Sequence, residues 1–494
     1  MITAGFEAYR ALRRELEEGV LRLASSLDGR TFSIQASLHG LDLEVGGYVV
    51  VESDDGPLLG QVLELGMRVV DGPEFDLPSE GGRTARARVE IRAASGSGVV
   101  LDGPGSAFHD RPLRRAAPAE VAAWLERAAA TRAQLPIGEL ALAPGVGFAL
   151  DAGGFGRHTF LCGQSGSGKT YSLGVMLEQL LLETELRVVI LDPNSDFVRL
   201  AELRDGVAGD VADRYRAAIG GLAVHRAGSP GAERLRVRLG ELERATQAAV
   251  LRLDPVADRD EHAALDELLE AGAPPSIDAL VAAADADAHR LGLRARNLGV
   301  DRFGVWAGSD AGSTVDAAAG SEGRGVVVDL GSLDTRAEQS LAATAVLDAL
   351  WRRRGRREPV LIVIDEAHNV CPAEPEDQLT ALATEQTVRI AAEGRKFGLY
   401  LLVSTQRPQK VHPNIVTQCD NLVLMRLNSA ADMAYAETVF SAVPPGLLRR
   451  ASSFGLGEAL VAGKIASHAA LLRFGARIAE EGGGDVPSTW ARAR

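Results

Sequence analysis

Apolar residues recur at spacings of three and four from the start of the chain: Phe6, Tyr9, Leu12, Leu16, Val20 and Leu23. That spacing gathers them on one face of a helix that ends near Ser25-Ser26. The face either packs on the protein's own next domain or docks a partner. From Thr31 the period drops to two. Phe32, Ile34, Ala36 and Leu38 alternate with polar residues, Tyr48 to Val51 is a short apolar run, and Asp54-Asp55-Gly56 reads as a turn. Ala85, Ala87, Val89 and Ile91 alternate again, so several short strands closed by Gly-rich turns predict a small β-barrel. Asp71 to Gly82, rich in Pro, Gly and acid, is expected as a surface loop.

A linker with a helix over Ala117 to Ala133 follows, and Ile137 to Leu150 leads into a different pattern. Arg187–Leu191, Gly325–Leu330, Pro359–Ile364, Leu399–Ser404 and Asn421–Arg426 are β-rich or fully apolar runs separated by helical stretches. Strands that alternate with helices predict a mostly parallel sheet with ligands at the carboxyl ends of its strands. No comparable array lies between Leu203 and about Asp310, where Ala- and Leu-rich segments predict a helical insertion. The expected organisation is an amphipathic helix (1–28), a small β-barrel (29–105), a linker with a helix (106–145), the first part of an α/β core (146–204), the insertion (205–310), and the rest of the core with a tail (311–494).

Composition narrows the function classes. A chain of 494 residues exceeds one ordinary core. Its net charge of −14 argues against coating nucleic acid over the whole surface, although a basic channel inside an acidic exterior remains open. Three cysteines, Cys162, Cys371 and Cys419, lack metal-ligand spacing and read as buried thiols of a reducing compartment. No run approaches the roughly 18 apolar residues of a membrane span, so the expected location is cytoplasmic, with no membrane partner.

The sharpest local signal is Gly163-Gln164-Ser165-Gly166-Ser167-Gly168-Lys169-Thr170, which matches G-x-x-x-x-G-K-[ST] between an apolar entry and a helical exit. Glycines let backbone N–H groups wrap a phosphate, and the following helix presents its positive end to the same anion. Lys169 would reach the β- and γ-phosphates of ATP, and Thr170 would hold Mg²⁺. Only four of the 53 basic residues are lysines, so Lys169 stands out as a place where a compact ammonium is wanted.

Further along, Leu361 to Ile364 ends in Asp365-Glu366, two carboxylates at a strand tip that a bound Mg²⁺ would reconcile. Asp365 is the expected metal-side group, and Glu366 the base for an attacking water. The strand at Leu399–Ser404 delivers Thr405-Gln406-Arg407, and the neutral amide of Gln406 suits a γ-phosphate sensor. Glu393 to Gly398 closes a helix: Arg395 there either completes a C-cap or acts as an arginine finger on a neighbouring subunit. Asp192 and Asp196, after the next strand, are expected near the phosphates. Arg352 to Arg357 form the densest basic run, readable as a solvated helix end or as a DNA contact.

Together the barrel, Arg157-His158 before the P-loop strand, Asp192 to Phe197, the Asp365-Glu366-Ala367-His368 box, Glu393 to Gly398 and Val403 to Pro408 resemble the HerA family of hexameric DNA-translocating ATPases, within the FtsK/HerA superfamily. The resemblance runs from about Thr31 to Trp490 and is weakest in the insertion. It implies an α/β fold with a RecA-like P-loop NTPase core and a helical insertion, preceded by a small N-terminal β-barrel. It also implies ATP and Mg²⁺, a homo-hexamer with nucleotide at each interface, double-stranded DNA through the centre, and a nuclease or defence effector docked on the barrel. On that resemblance Gly163 to Thr170 bind nucleotide, Thr170 and Asp365 serve the metal, Glu366, Gln406 and Arg395 take catalytic roles, and Arg157 joins the nucleotide interface. Asn194-Ser195-Asp196-Phe197 departs from the family's His-Gly-Glu-Tyr and shortens the acid. Three acids in Pro372 to Asp377 would weaken phosphate tracking if that loop faces the pore. An ATP-gated ring scaffold that activates an effector without moving DNA is the competing reading.

Overall fold

The computed structural model describes all residues except 1, 79–83, 104, 130–132, 229–233, 271–275, 283–285, 309–311, 321–322 and 484–494, so the end of the expected C-terminal tail lies outside the described residues. The first helix, α1 (Ile2–Glu18), stops earlier than its apolar spacing predicts. The Gly19 N–H closes on the Glu15 carbonyl, and Leu23–Ser26 becomes strand β1 instead. Val20 and Leu23 fit either period. Pairing decides the outcome, because Leu23 to Ser25 lie against Gln35 to Ser33.

Strands β1, β2 (Thr31–Ser37), β3 (Tyr48–Ser53), β4 (Gly56–Pro78), β5 (Thr84–Asp102) and β6 (Phe108–Arg115) pair in the order β1-β2-β5-β4-β3-β6, and β6 returns to β1 to close a barrel. Ala24, Phe32, Ile34, Val49, Val51, Leu58, Val62, Phe108 and Leu113 fill it. Phe32 fits because Gly60 and Gly98 face it: a Cβ on either would come within 2.7 Å or 2.2 Å of the ring. The expected surface loop from Asp71 to Gly82 is corrected: β4 runs on through Pro78 and pairs with β5 from Thr84 in a long ribbon, and only the tip lies outside the described residues. The Gly-Pro pair that suggested a loop sits at a register shift between Asp71 and Glu74, where a residue without an N–H interrupts no ladder bond.

Helix α2 (Pro118–Ala129) leads to an 11-stranded sheet made of β7 (Gln134–Leu140), β8 (Gly147–Asp151), β9 (His158–Cys162), β10 (Arg187–Asp192), β11 (Ala223–Arg226), β12 (Gly325–Asp329), β13 (Val360–Ile364), β14 (Leu399–Thr405), β15 (Cys419–Met425), β16 (Glu458–Ala462) and β17 (Ala470–Phe474). Their order is β11-β12-β10-β13-β14-β9-β15-β16-β17-β7-β8. The strands from β11 to β15 are parallel, those inside β11 are largely buried, as continuous apolar runs demand, and the rest add antiparallel. Strand β11 lies inside the stretch expected to be helical. It is four residues with two apolar positions, too short for a period to show.

The barrel and the sheet share a buried seam. The Tyr48 hydroxyl lies 2.7 Å from His468 Nε2, whose ring meets Trp124 of α2 and Phe148 of β8 edge-on at 5.0 and 6.0 Å. Burial pushes the His468 pKa down to about 3, so the ring is neutral at ordinary pH. Gln61 on β4 donates to the carbonyls of Gly46 and Ala469 and fastens the same joint.

Candidate active site

Strand β9 is buried along its whole length and releases the chain at its carboxyl end into Gly163 to Thr170; helix α3 (Lys169–Glu183) then begins. Gly166 and Gly168 hold φ values of 72° and 89°, a region that costs other residues about 1–2 kcal/mol each. At Gly163 a Cβ would fall 2.7 Å from that of Met425. The loop is braced from outside: Gln164 N–H donates to the Arg426 carbonyl, Arg426 Nη2 donates to the Gly166 carbonyl at 2.8 Å, and Gly457 N–H donates to the Ser167 carbonyl. The first amides of α3 lack intrahelical partners and face the same space, as an anion site requires.

Three strands converge on Lys169. Its Nζ lies 2.8 Å from Asp365 Oδ1, 3.0 Å from Glu366 Oε1 and 3.1 Å from Ser404 Oγ. Burial disfavours the ammonium, but the two carboxylates outweigh that and hold its pKa above the ordinary value. The order β13-β14-β9 explains the meeting, because the strand carrying Ser404 lies between the P-loop strand and the one carrying Asp365 and Glu366. Glu366 adopts φ 42°, uncommon for a residue with a side chain, and so turns its carboxylate back toward Lys169. Within this carboxylate pair, two buried oxygens carry no hydrogen bond to the described residues: Asp365 Oδ2 and Glu366 Oε2. Unsatisfied carboxylate oxygens in such a place suit a cation and its water shell.

Gln406 follows β14 directly and sits half-buried at the same edge of the sheet. Asp192 and Asp196 both lie within electrostatic reach of Asp365. The Asp192 carboxylate accepts the N–H groups of Asn194, Asp196 and Phe197 and so shapes its own loop; burial lifts its pKa to about 7, and the charge of Asp365 adds to the rise. Asp196 likewise has its pKa raised to about 6 by burial and by the charge of Asp365.

Arg157 and Arg395 are not brought to this P-loop. Arg157 precedes β9 and Arg395 precedes β14, so both stand at the amino edge of the sheet, and a five-residue strand separates that edge from the P-loop by roughly 17 Å. There they share one acceptor, with Asp420 Oδ2 lying 3.2 Å from Arg157 Nη1 and 3.5 Å from Arg395 Nη1. Within a single chain Arg157 therefore does not reach the P-loop. Sequence reading missed Arg426 as a member of the site, and it quoted Ser404 and His368 within motifs without giving either a role. Each lies at or just past a strand end, the one local signal that would have found them.

A P-loop set at the carboxyl edge of a largely parallel sheet, with a lysine held against two carboxylates, defines a nucleotide-binding site of the P-loop ATPase class. Residues 135–270 match the family model of the helicase HerA, central domain. Among curated relatives, the DNA double-strand break repair helicase HerA of Sulfurisphaera tokodaii is 28% identical over 182 residues, 35% of this chain and 36% of that protein. The protein of the same description from Saccharolobus solfataricus is 33% identical over 122 residues, 25% of this chain and 24% of its own length. The aligned stretches thus span about a third or less of the relatives' length. Among solved structures, VirB4 of Thermoanaerobacter pseudethanolicus aligns over 69% of this chain and 96% of its own at 18% identity, with a TM-score of 0.47.

Proposed function

We propose that this protein hydrolyses ATP and uses the cycle to move double-stranded DNA, as a homo-hexameric ring that serves a nuclease or defence effector seated on the barrel. The observation that carries the reading is Lys169 held between the P-loop and the Asp365-Glu366 pair. Nucleotide binding would exchange those carboxylate contacts for phosphate oxygens. Lys169 then neutralises the β/γ-phosphates, the α3 amides hold them, and Glu366, released from the lysine, accepts a proton from water at Oε2. Thr170 and Asp365 are the residues that would hold Mg²⁺, which when bound neutralises charge developing on the phosphates. The orphaned Asp365 Oδ2 supports that assignment. Gln406 would contact the γ-phosphate or the attacking water, a role that its position directly after β14 supports. The DNA part of the reading rests on the relatives' descriptions as DNA repair helicases.

ATPase activity of the purified chain, with and without linear duplex DNA, tests the proposal. The expected result is turnover that duplex DNA raises, and that falls by about 10²–10⁴-fold in Glu366→Gln while nucleotide binding persists. Absence of turnover in the wild-type protein would overturn the whole reading. Intact turnover indifferent to DNA would favour an ATP-gated scaffold, a reading supported by the buried seam at Tyr48, Gln61 and His468 that joins the barrel rigidly to the ATPase sheet.

A further inference from the structure

Glu366 has a second neighbour that the reading above leaves unused. His368, two residues on, places Nδ1 3.2 Å from Glu366 Oε2 and 3.1 Å from the Thr405 hydroxyl. The directed hydrogen bond is the one to Thr405, and Glu366 Oε2 keeps no hydrogen bond of its own. The imidazole is thus fixed by β14 and stands beside the free oxygen of the carboxylate without consuming it. The Thr405 hydroxyl also accepts the Arg407 N–H, which sets the turn that carries Gln406. Neighbouring backbone contacts lock the arrangement, with the Ala367 N–H donating to the Ser404 carbonyl and the Asn369 N–H to the Glu366 carbonyl.

Lysine and histidine flank the carboxylate at opposite oxygens: Lys169 Nζ lies 3.0 Å from Oε1, and His368 Nδ1 stands 3.2 Å from Oε2. Phosphates would compete only for the lysine. When Lys169 turns to them, His368 is the polar side chain left beside Glu366, and its hydrogen bond to the Thr405 hydroxyl links that carboxylate to the Gln406 turn.

We propose that His368 is a positioning residue that holds the Glu366 carboxylate in its working orientation and couples it to the Thr405-Gln406-Arg407 turn. The proposal rests on the ATPase reading above, and the two fail differently: an inert wild-type protein sinks that reading, whereas only the variants bear on His368. His368→Ala is expected to lower kcat by about tenfold or more while KM for ATP stays within about twofold, because the phosphate contacts of the P-loop are untouched. His368→Asn, whose amide can donate from nearly the same place as Nδ1, is expected to restore most of that loss; a residue with a merely structural role would show no such rescue in kcat. Thr405→Val keeps the imidazole but removes its anchor, and is expected to lower kcat in the same sense and less than additively with His368→Ala. Turnover of His368→Ala within about twofold of wild type, or a loss confined to KM, overturns the proposal. If His368→Ala does not fold, Thr405→Val decides, and an unchanged kcat there overturns it as well.

Discussion

At the scale of single residues, backbone strain sits where the chemistry is. Glu366 is held at φ 42° by β13 behind it and by the Asn369 N–H closing on its own carbonyl. A residue with a Cβ in that region carries a penalty that glycine does not. Comparing two truncations isolates it: Glu366→Ala and Glu366→Gly both remove the carboxylate, but only glycine relaxes the backbone. Both are expected to lose turnover, and the glycine variant is expected to be more stable than the alanine variant by about 1 kcal/mol in chemical denaturation. Equal stability would mean that the fold imposes no strain there. The P-loop was legible because its residues are contiguous and their spacing is itself the geometry. The loop contacts of Asp192 were not legible because a strand-end carboxylate looks the same in sequence whether or not it also holds its own loop. Arg426 was missed because its partner, the Gly166 carbonyl, lies 260 residues away.

Among the elements, the P-loop helix depends on a strap that the sequence does not advertise. Residues 475–483 cross α3 and run on to the Asp196 loop, where the Gly482 N–H donates to the Asp196 carbonyl. Arg477 and Glu178 form the pin, with Nε–Oε1 at 2.8 Å and side chains 0% and 1% exposed. Glu178 also accepts the N–H groups of Ile478 and Ala479, while the Arg477 N–H donates to the Tyr171 hydroxyl in the first turn of α3. Room for the guanidinium comes from Gly174, where a Cβ would lie 2.4 Å from Arg477 Cζ. In sequence Arg477 is one arginine among many, and Gly174 looks like a helix defect. Removing one partner of such a pair strands a buried charge, so Arg477→Met is expected to cost about 3–5 kcal/mol by denaturant titration. Adding Glu178→Gln should recover part of that, because the amide oxygen still accepts one of the two N–H groups. A loss below about 1 kcal/mol for Arg477→Met would show that water reaches the pair.

For the molecule as a whole, the sheet has two chemically different edges. Lys169, Asp365, Glu366 and Gln406 occupy the carboxyl edge, and Arg157 and Arg395 share Asp420 at the amino edge. Strand alternation made the parallel core readable, since buried runs leave a strong apolar signal. The antiparallel additions β16, β17, β7 and β8 were not assigned, because pairing order across distant segments leaves no local trace. The separation of the edges bears on assembly. If either arginine serves hydrolysis, it must serve a nucleotide bound to another copy, and two inactive subunits should then complement each other. Lys169→Ala abolishes its own site but keeps its arginines, while Arg395→Ala keeps the site and loses one arginine. Co-assembled in equal amounts, each alone being inactive, they should recover about a quarter of wild-type turnover, the fraction of interfaces that join an intact site to an intact arginine. The same mixing with Arg157→Ala assigns the role between the two residues that Asp420 holds together. Failure of both mixtures to exceed the single variants would leave Arg395 as a helix cap and Arg157 as its neighbour on Asp420, with hydrolysis complete inside one chain.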